Sequence, residues 1–295
     1  MSRGDRILRL LTGGALWLVV GTVVALVVAV VVLGAPAISP SFLGRGPGGD
    51  LDGGILPAIV GTTATTLLMT LAGVPVGVTT AIYLSEYASP RSLHASIVRA
   101  AVRNLAGVPS VIFGLFGLGF FVLFLGRGID RAFYPSDQPV FGRPAILWAS
   151  LTLAILTLPV VIVTTEEALK RVPREAREAA YALGATKLQM IGRVLLPQAR
   201  AGILTGVLLA TSRGAGEVAP ILFTGVVSYM PRTPNDLRDG FMHLGYHVYV
   251  LATPSPDVER TRPTLFGTVL VLLLLTLVLN GAALVLRARV REEAR

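Results

Sequence analysis

The sequence predicts an all-α fold, that of a polytopic membrane protein with six transmembrane helices. Composition is the first reason: 53% of the 295 residues are hydrophobic and 15% are charged, against about 25% charged in a typical soluble domain. The mean hydropathy of +0.70 agrees. Charge-free runs long enough to cross a bilayer are the second reason, and a one-sided distribution of positive charge is the third. The chain has no cysteine, which excludes disulfide frameworks, thiolate metal sites and cysteine nucleophiles.

Five charge-free runs supply candidate spans, each longer than the roughly 20 residues that a spanning helix needs. These runs cover residues 10–44, 53–85, 104–126, 144–165 and 263–286. A sixth apolar run, about residues 201–227, contains Arg213 and Glu217, so it is either a functional span or two half-segments. We count it as a span. The first run is expected to be retained, because its apolar part from Leu10 to Leu33 exceeds the roughly 7 to 15 residues of a secretory signal core.

Positive charge is concentrated on one side of the predicted bundle. With six spans both termini share a side, whose loops are residues 1–9, 86–103, 166–200 and 287–295. Those loops hold 17 Lys and Arg, whereas the opposite loops hold eight Lys and Arg and eight Asp and Glu. The net charge of +9 therefore lies on the side of the termini, which the positive-inside rule assigns to the cytoplasm. This pattern predicts contact with anionic lipids and no nucleic acid binding.

The third predicted span is rich in residues that weaken a helix. They are Gly107, Pro109, Gly114, Gly117 and Gly119. Close packing against neighbouring helices is one explanation. The other is a bend at Pro109 and Ser110 beside a central pathway, because backbone groups freed by a proline must be satisfied inside protein or water. The residues alone leave both explanations open.

The chain carries no motif of its own for nucleotide or metal chemistry. The glycine-rich stretch 44–54 lacks the Gly-Lys-Ser/Thr ending of a phosphate-binding loop, and we interpret it as a flexible external connection. His243 and His247 have helical spacing, but no third metal ligand is evident near them. We therefore predict no metal site and no cofactor in this chain, so any nucleotide chemistry must belong to a partner.

The cytoplasmic stretch from Glu166 to Arg200 predicts two short helices. Pro173 suits a first helical turn, and Gly184 offers a left-handed stop after the first helix. Thr186 can cap the second helix, which Pro197 is expected to end. A helix of about ten residues is roughly 15 Å long, a size that fits a groove in a partner. An ordinary amphipathic surface helix is the simpler alternative.

Residues in this stretch resemble a known motif. Glu178-Ala179-Ala180, Gly184 and Val194-Leu195-Leu196-Pro197 are spaced as in the EAA loop of ABC importer permeases. The sequence departs from the usual pattern at Val194, where isoleucine is common. This substitution is conservative.

Three further segments are similar to the PstA family of phosphate importer permeases. They are residues 104–121, 164–173 and 213–220. The resemblance implies the type I ABC importer permease fold in the cytoplasmic membrane of a prokaryote. It also implies three parts: residues 1–55 as N-terminus, first span and external loop, residues 56–286 as the permease domain with its EAA loop at about 166–200, and residues 287–295 as a cytoplasmic tail.

The same resemblance implies an assembly in which this chain is not an enzyme. Its partners would be the homologous permease PstC, a dimer of the PstB ATPase that holds ATP and Mg, and the external phosphate-binding protein PstS. In the family the EAA segment contacts the ATPase. Coupling is therefore predicted for Glu178, Ala179, Ala180, Gly184 and Pro197.

Arg213 and Glu217 are the candidate substrate residues, and their i, i+4 spacing predicts that they share one face of a helix. An ionisable group inside a span costs about 2.5 to 3.5 kcal/mol on insertion scales, and such groups usually face water or protein. A guanidinium can hold an oxyanion through paired hydrogen bonds, and the carboxylate could orient it or accept the proton of hydrogen phosphate. The alternative is a salt bridge that serves packing alone.

Two other function classes remain open at this stage. One is an ABC permease for another oxyanion or solute, such as sulfate, molybdate or phosphonate. The more distant one is a membrane-embedded enzyme, for which only Arg213 and Glu217 would be available inside the bilayer.

Overall fold

The computed structural model describes residues 3–48, 53–89, 91–134, 138–253 and 258–292, and these residues are almost entirely helical. The α-helices are Arg3–Gly34, Pro40–Gly44, Leu56–Ile82, Leu93–Ala106, Ser110–Phe116, Arg127–Phe133, Ile146–Lys170, Arg174–Ala182, Lys187–Met190, Leu196–Gly216, Leu244–Ala252 and Val258–Glu292. Tyr83–Tyr87, Gly117–Gly126 and Ile191–Leu195 are π-helical, and Ala35–Ala37 and Ile221–Phe223 are 3-10 turns. Within the described residues the β-structure is one isolated bridge, between Val226 and Phe241.

Six helical stretches in the described part of the chain are long and apolar enough to cross a membrane, as the apolar runs predict. From the first to the sixth span they are Leu8–Ala37, Leu56–Tyr87, Ser110–Phe133, Ile146–Lys170, Lys187–Gly216 and Thr261–Arg289. The prediction of an all-α, six-span fold is confirmed. The helix that carries the sixth span continues to Glu292, past the residue 286 at which the sequence suggests that the membrane segment ends.

The fourth span is the centre of the bundle. It packs on the second span, where Gly73 contacts Ala154, and on the fifth span, where Gly206 lies directly against Thr164. A Cβ atom at residue 206 would lie 1.9 Å from the Thr164 hydroxyl oxygen, so only glycine fits there. Small residues of this kind let membrane helices approach closely. The first and sixth spans pack on each other at the periphery.

The fifth span differs at both ends from the predicted 201–227. It begins at Lys187, because the helix continues through Pro197 instead of ending there as expected. The turn before the proline is π-helical over Ile191–Leu195, and the Leu196 N–H donates to the Ile191 carbonyl five residues back. Such a widened turn accommodates a proline ring that would clash with a carbonyl in a regular α-helix.

The outer end of the fifth span lies about halfway along its neighbours. Its helix ends at Gly216, and Gly214 packs against Met69 and lies near Thr157, which are in the middle of the second and fourth spans. Glu217 is therefore outside the helix, with extended backbone angles. The prediction that Arg213 and Glu217 share one helical face is wrong in this respect, although their side chains still meet.

The third span begins at Ser110, not at residue 104. Pro109 lacks an N–H and has extended angles (φ −56°, ψ 138°), and it forms the N-cap of the span. Before it, Leu93–Ala106 is a separate amphipathic helix in a segment that the sequence interpretation treats mainly as a loop. The expected bend at Pro109 is thus a complete break between two helices. This agrees with the steric effect of a proline ring, which disfavours helical angles at the preceding residue.

Candidate functional site

Arg213 and Glu217 meet at the end of the fifth span. The Arg213 Nε atom lies 3.5 Å from the Glu217 Oε1 atom. The Arg213 side chain is 47% exposed, whereas that of Glu217 is 20% exposed. The remaining nitrogens of the guanidinium are free for another acceptor, since no further bond of theirs is made with the described residues. The pair is therefore a loose contact with one open side.

The neighbours of Arg213 explain which side is open. The hydroxyl of Thr211 lies 3.2 Å from that of Thr70 on the second span, and Ser212 donates to Asn280 on the sixth span. Gly214 is packed against Met69, whereas nothing lies within 4 Å of a Cβ placed on Gly216. The helix is thus held on the faces of Thr211, Ser212 and Gly214, and Arg213 faces space that the described chain does not fill.

The break at Pro109 lies beside the chain that follows Glu217. A Cβ atom on Gly114, in the first turns of the third span, would lie 3.0 Å from Pro220 and 2.9 Å from the Phe223 ring. The structure therefore brings the elements that carry Ser110 and Glu217 together. It shows no direct contact between Pro109 or Ser110 and the charged pair among the described residues.

Of the two short helices predicted for residues 166–200, the structure has the first, whereas the second is the beginning of the fifth span. Pro173 precedes the first, Arg174–Ala182, which we call the loop helix. Gly184 follows with φ +79°, in the left-handed region that glycine tolerates best. Thr186 then caps the next helix in a reciprocal capping box with Gln189. Local chemistry thus fixes the direction in which the chain leaves the loop helix.

The predicted coupling residues have different surroundings in the loop helix. Glu178 and Ala179 are exposed, whereas Ala180 is buried against the protein's own cluster around Leu169 and Met190. Ala180 therefore seats the helix, and the exposed face is completed by residues that sequence reasoning missed. These are Tyr181, Leu183 and Leu188, and Leu183 is 89% exposed. Large apolar side chains within the highly charged stretch 166–200 were the available signal.

Arg177 ties the loop helix to two spans. One of its terminal nitrogens lies 3.3 Å from the Glu86 carboxylate at the end of the second span. The other donates to the Leu169 carbonyl at the end of the fourth span over 2.7 Å. The Glu86 side chain is 7% exposed and also accepts a hydrogen bond from Ser85. Movement of the loop helix is therefore linked directly to the second and fourth spans.

A second cluster of charges surrounds Glu166. Its Oε1 atom lies 3.0 Å from the Lys170 ammonium and 3.2 Å from a terminal nitrogen of Arg99. The same Arg99 nitrogen donates to the Leu84 carbonyl over 2.7 Å. The cluster fastens the amphipathic helix Leu93–Ala106 to the inner ends of the second and fourth spans.

The two spaced histidines belong to the packing of the segment between the fifth and sixth spans. His243 is fully buried, and its Nδ1 atom accepts a hydrogen bond from the Gly245 N–H. Burial lowers the pKa of His243 and of His247 to about 4, because the charged imidazole is poorly solvated there. Within the described residues no group of three or more His, Cys, Asp or Glu side chains could hold a metal ion.

Comparison with known proteins gives consistent matches. The family model of the binding-protein-dependent transport system inner membrane component matches residues 73–292. A phosphate transport system permease protein PstA of Pasteurella multocida is 34% identical over 83% of this chain and 80% of its own length. A probable PstA of Methanocaldococcus jannaschii is 31% identical over 92% of this chain and 90% of its length. A PstA of Yersinia pestis is 36% identical over 82% and 75%.

Solved structures share the fold at low sequence identity. A chain of a bacterial alginate ABC transporter, in complex with alginate pentasaccharide-bound periplasmic protein, is 18% identical with a TM-score of 0.64, over 95% of this chain and 93% of that one. A chain of the MetNI methionine ABC transporter in an inward-facing conformation is 18% identical with a TM-score of 0.55, over 80% and 94%.

Proposed function

Because the chain belongs to the family of binding-protein-dependent transport system inner membrane components, we propose that it is the permease subunit of an ATP-driven importer of inorganic phosphate. A family member of this kind is a transporter subunit and not an enzyme, and it works with an ATPase and a binding protein. The curated relatives are named as phosphate transport permeases over most of the chain. The half-exposed Arg213 beside Glu217, halfway along the bundle, is the observation that carries the assignment of the substrate site.

The chemistry of the pair suits hydrogen phosphate. The free nitrogens of Arg213 supply parallel donors for two phosphate oxygens. Glu217 is close enough to orient the guanidinium and to accept the proton that hydrogen phosphate carries. Sulfate has no such proton, so the carboxylate would repel it without any compensating hydrogen bond.

A second permease would complete the path. A charged side chain that faced lipid at this depth would be costly, so the open side of Arg213 is assigned to water or to another protein. We infer that the homologous permease PstC covers this side and that phosphate crosses between the two chains. Pro109 and Ser110 are assigned to the same path, because their helix packs beside the segment that follows Glu217.

The loop helix supplies the contact with the ATPase. We propose that Glu178, Ala179 and the apolar Leu183 dock on a PstB ATPase dimer, which holds ATP and Mg. Ala180 and Gly184 set the position and direction of the helix, and Pro197 lies within the fifth span, directly after its π-helical turn. An external phosphate-binding protein, PstS, would deliver phosphate on the opposite side. The concentration of positive charge on the side of the loop helix favours a cytoplasmic location for both termini in a prokaryotic cell membrane.

The decisive experiment is phosphate uptake by the reconstituted complex, with ATPase activity recorded alongside. Because the contact between Arg213 and Glu217 is loose and half-exposed, its loss should cost little stability, so the double variant Arg213→Met with Glu217→Leu is expected to assemble. Its uptake is expected to fall by more than about tenfold, since one lost charge-assisted contact already weakens anion binding by about 1.5 to 3 kcal/mol.

The matched control is Arg232→Met, because Arg232 is an exposed arginine of the external region. It should transport phosphate normally. Normal uptake by the double variant would limit Arg213 and Glu217 to packing. Uptake of sulfate, molybdate or phosphonate in place of phosphate by the unmodified complex would overturn the assignment of phosphate as the substrate. It would favour an importer of another oxyanion.

A further inference from the structure

A cleft of about 440 Å³ opens between the inner halves of the fourth and fifth spans and the end of the sixth span. We call it the inner cleft. It is lined by Thr164, Glu167, Ala168, Arg171, Gln198, Ala199, Ala201, Gly202, Thr205, Leu209 and Arg287. Arg213 is not part of its wall, so the cleft is distinct from the candidate substrate site.

The lining is polar at one end and apolar at the other. Arg171 directly follows the fourth span, and Arg287 lies near the inner end of the sixth span. Both arginines are therefore at the level of the cytoplasmic surface. Ala168 packs on Gly202 about one turn farther in, and Leu209 supplies an apolar wall at the deepest level of the lining. From Gln198 to Leu209 the fifth span rises about 16 Å at 1.5 Å per residue. The cleft therefore reaches from the inner surface well into the bilayer.

The two arginines of the inner cleft are available for a ligand. Neither has a carboxylate of a described side chain within ion-pair distance, although Glu167 is in the same lining. This sets them apart from Arg99 and Arg177, which are both paired. The hydroxyls of Thr164 and Thr205 donate to carbonyls of their own helices. The free donors are consequently concentrated at the inner rim.

We propose that the inner cleft binds a phosphate group between Arg171 and Arg287. Two arginines at the rim of a pocket between membrane helices, at the cytoplasmic surface, suit a phosphate through paired guanidinium contacts. The phosphate could belong to the headgroup of an anionic phospholipid, whose chain the apolar walls would receive, or to free inorganic phosphate. This site is independent of the proposed transport function, because it is defined by binding and not by turnover.

The test uses the complete complex with its partner subunits. Native mass spectrometry counts retained phosphatidylglycerol against phosphatidylcholine, and equilibrium binding of radiolabelled inorganic phosphate is measured in nanodiscs of phosphatidylcholine. The variant is Arg171→Gln with Arg287→Gln. The control is Arg174→Gln with Arg289→Gln, which removes two nearby exposed arginines outside the lining.

The expected result is a loss of about tenfold in the affinity for one of the two probes in the Arg171 and Arg287 variant and no loss in the control. Loss of phosphatidylglycerol identifies the lipid as the source, and loss of phosphate binding with unchanged lipid retention identifies the free ion. Equal binding of both probes by variant and control would overturn the proposal. Because each readout is binding, failure of transport in the Arg213 experiment would leave this result unaffected.

Discussion

Two charge clusters at the inner ends of the helices, one around Glu166 and one around Arg177, are paired much more completely than the pair at the end of the fifth span. Glu166 contacts both Arg99 and Lys170, and Arg177 bonds both Glu86 and the Leu169 carbonyl. Arg213, by contrast, makes one 3.5 Å contact with Glu217 and stays half-exposed. The two inner clusters join separate elements to one another, whereas the Arg213–Glu217 pair joins the last turn of a helix to the residue that follows that helix.

This difference separates structural charges from charges that are free to act. A charge with two or three partners inside the protein holds those partners in place, and its removal leaves buried groups unsatisfied. A charge kept at mid-bundle depth with one loose partner contributes little to folding, so its cost in the membrane indicates a role in binding. Four substitutions test this contrast, in order of their expected effect on stability.

Glu166→Leu should be the most destabilising change. It leaves Arg99 and Lys170 without their carboxylate, and Arg99 is only about one-third exposed. Removing one partner of a buried pair costs about 3 to 5 kcal/mol, and partial exposure of the cations reduces our expectation to about 2 kcal/mol. Thermal unfolding of the purified complex should therefore begin several degrees lower.

The control is Glu167→Leu, the exposed neighbour on the same helix, which should unfold like the unmodified protein. If the two variants have equal melting temperatures, the Glu166 cluster does not hold the inner ends together.

Arg177→Ala should have the next largest effect and should also separate ATP hydrolysis from transport. It leaves the nearly buried Glu86 without its cation and the Leu169 carbonyl without its side-chain donor, at a cost of about 1.5 kcal/mol. The loop helix would still dock but would no longer move the second and fourth spans with it. ATPase activity of the assembled complex should persist while phosphate uptake falls several-fold.

Arg174→Ala, on the same loop helix but exposed, is the matched control and should keep both activities. Fully coupled transport by the Arg177 variant would show that these contacts do not transmit movement.

The charge clusters around Glu166 and Arg177 mark the limit of what the sequence predicts. The six spans, the left-handed Gly184 and the cap at Thr186 follow from local chemistry, and the structure confirms them. The contact of Arg177 with Glu86 depends on how distant segments pack, and no spacing in the chain indicates it.

The wrong helix boundaries have a similar origin. Pro197 was expected to end a helix, but a π-helical turn accommodates it. The fifth span was expected to continue to residue 227, but it ends where Gly214 meets Met69. Hydropathy does not show this end, because the segment after Gly216 remains apolar while it continues in largely non-helical form towards Ala145, at the start of the fourth span.

Gly184→Ala should be a smaller perturbation, and it isolates backbone strain. Nothing lies within 4 Å of a Cβ atom at this position, so the cost comes only from forcing φ +79° on a residue with a side chain. That cost is about 1 kcal/mol. We expect uptake to fall a few-fold, because the loop helix would be redirected relative to the ATPase.

Gly192→Ala is the control, since Gly192 also has open space around it but lies in helical backbone. It should be neutral or slightly stabilising. Equal uptake by the two alanine variants would show that the left-handed turn is not needed for coupling.

Arg213→Lys should change stability least, and for that reason it tests the contrast most directly. The substitution keeps the positive charge beside Glu217, and because the arginine makes a single loose contact the free energy of unfolding should change by less than about 0.5 kcal/mol. Lysine nevertheless lacks the planar pair of donors that grips two oxygens of one anion. Phosphate uptake should therefore fall several-fold in a complex that melts at the normal temperature. Arg177→Lys, by contrast, should lower the melting temperature. A single ammonium cannot reach both Glu86 and the Leu169 carbonyl in the geometry that the arginine has. If Arg213→Lys lowers the melting temperature as much as Arg177→Lys does, Arg213 belongs with the structural charges of the inner ends and not with the substrate.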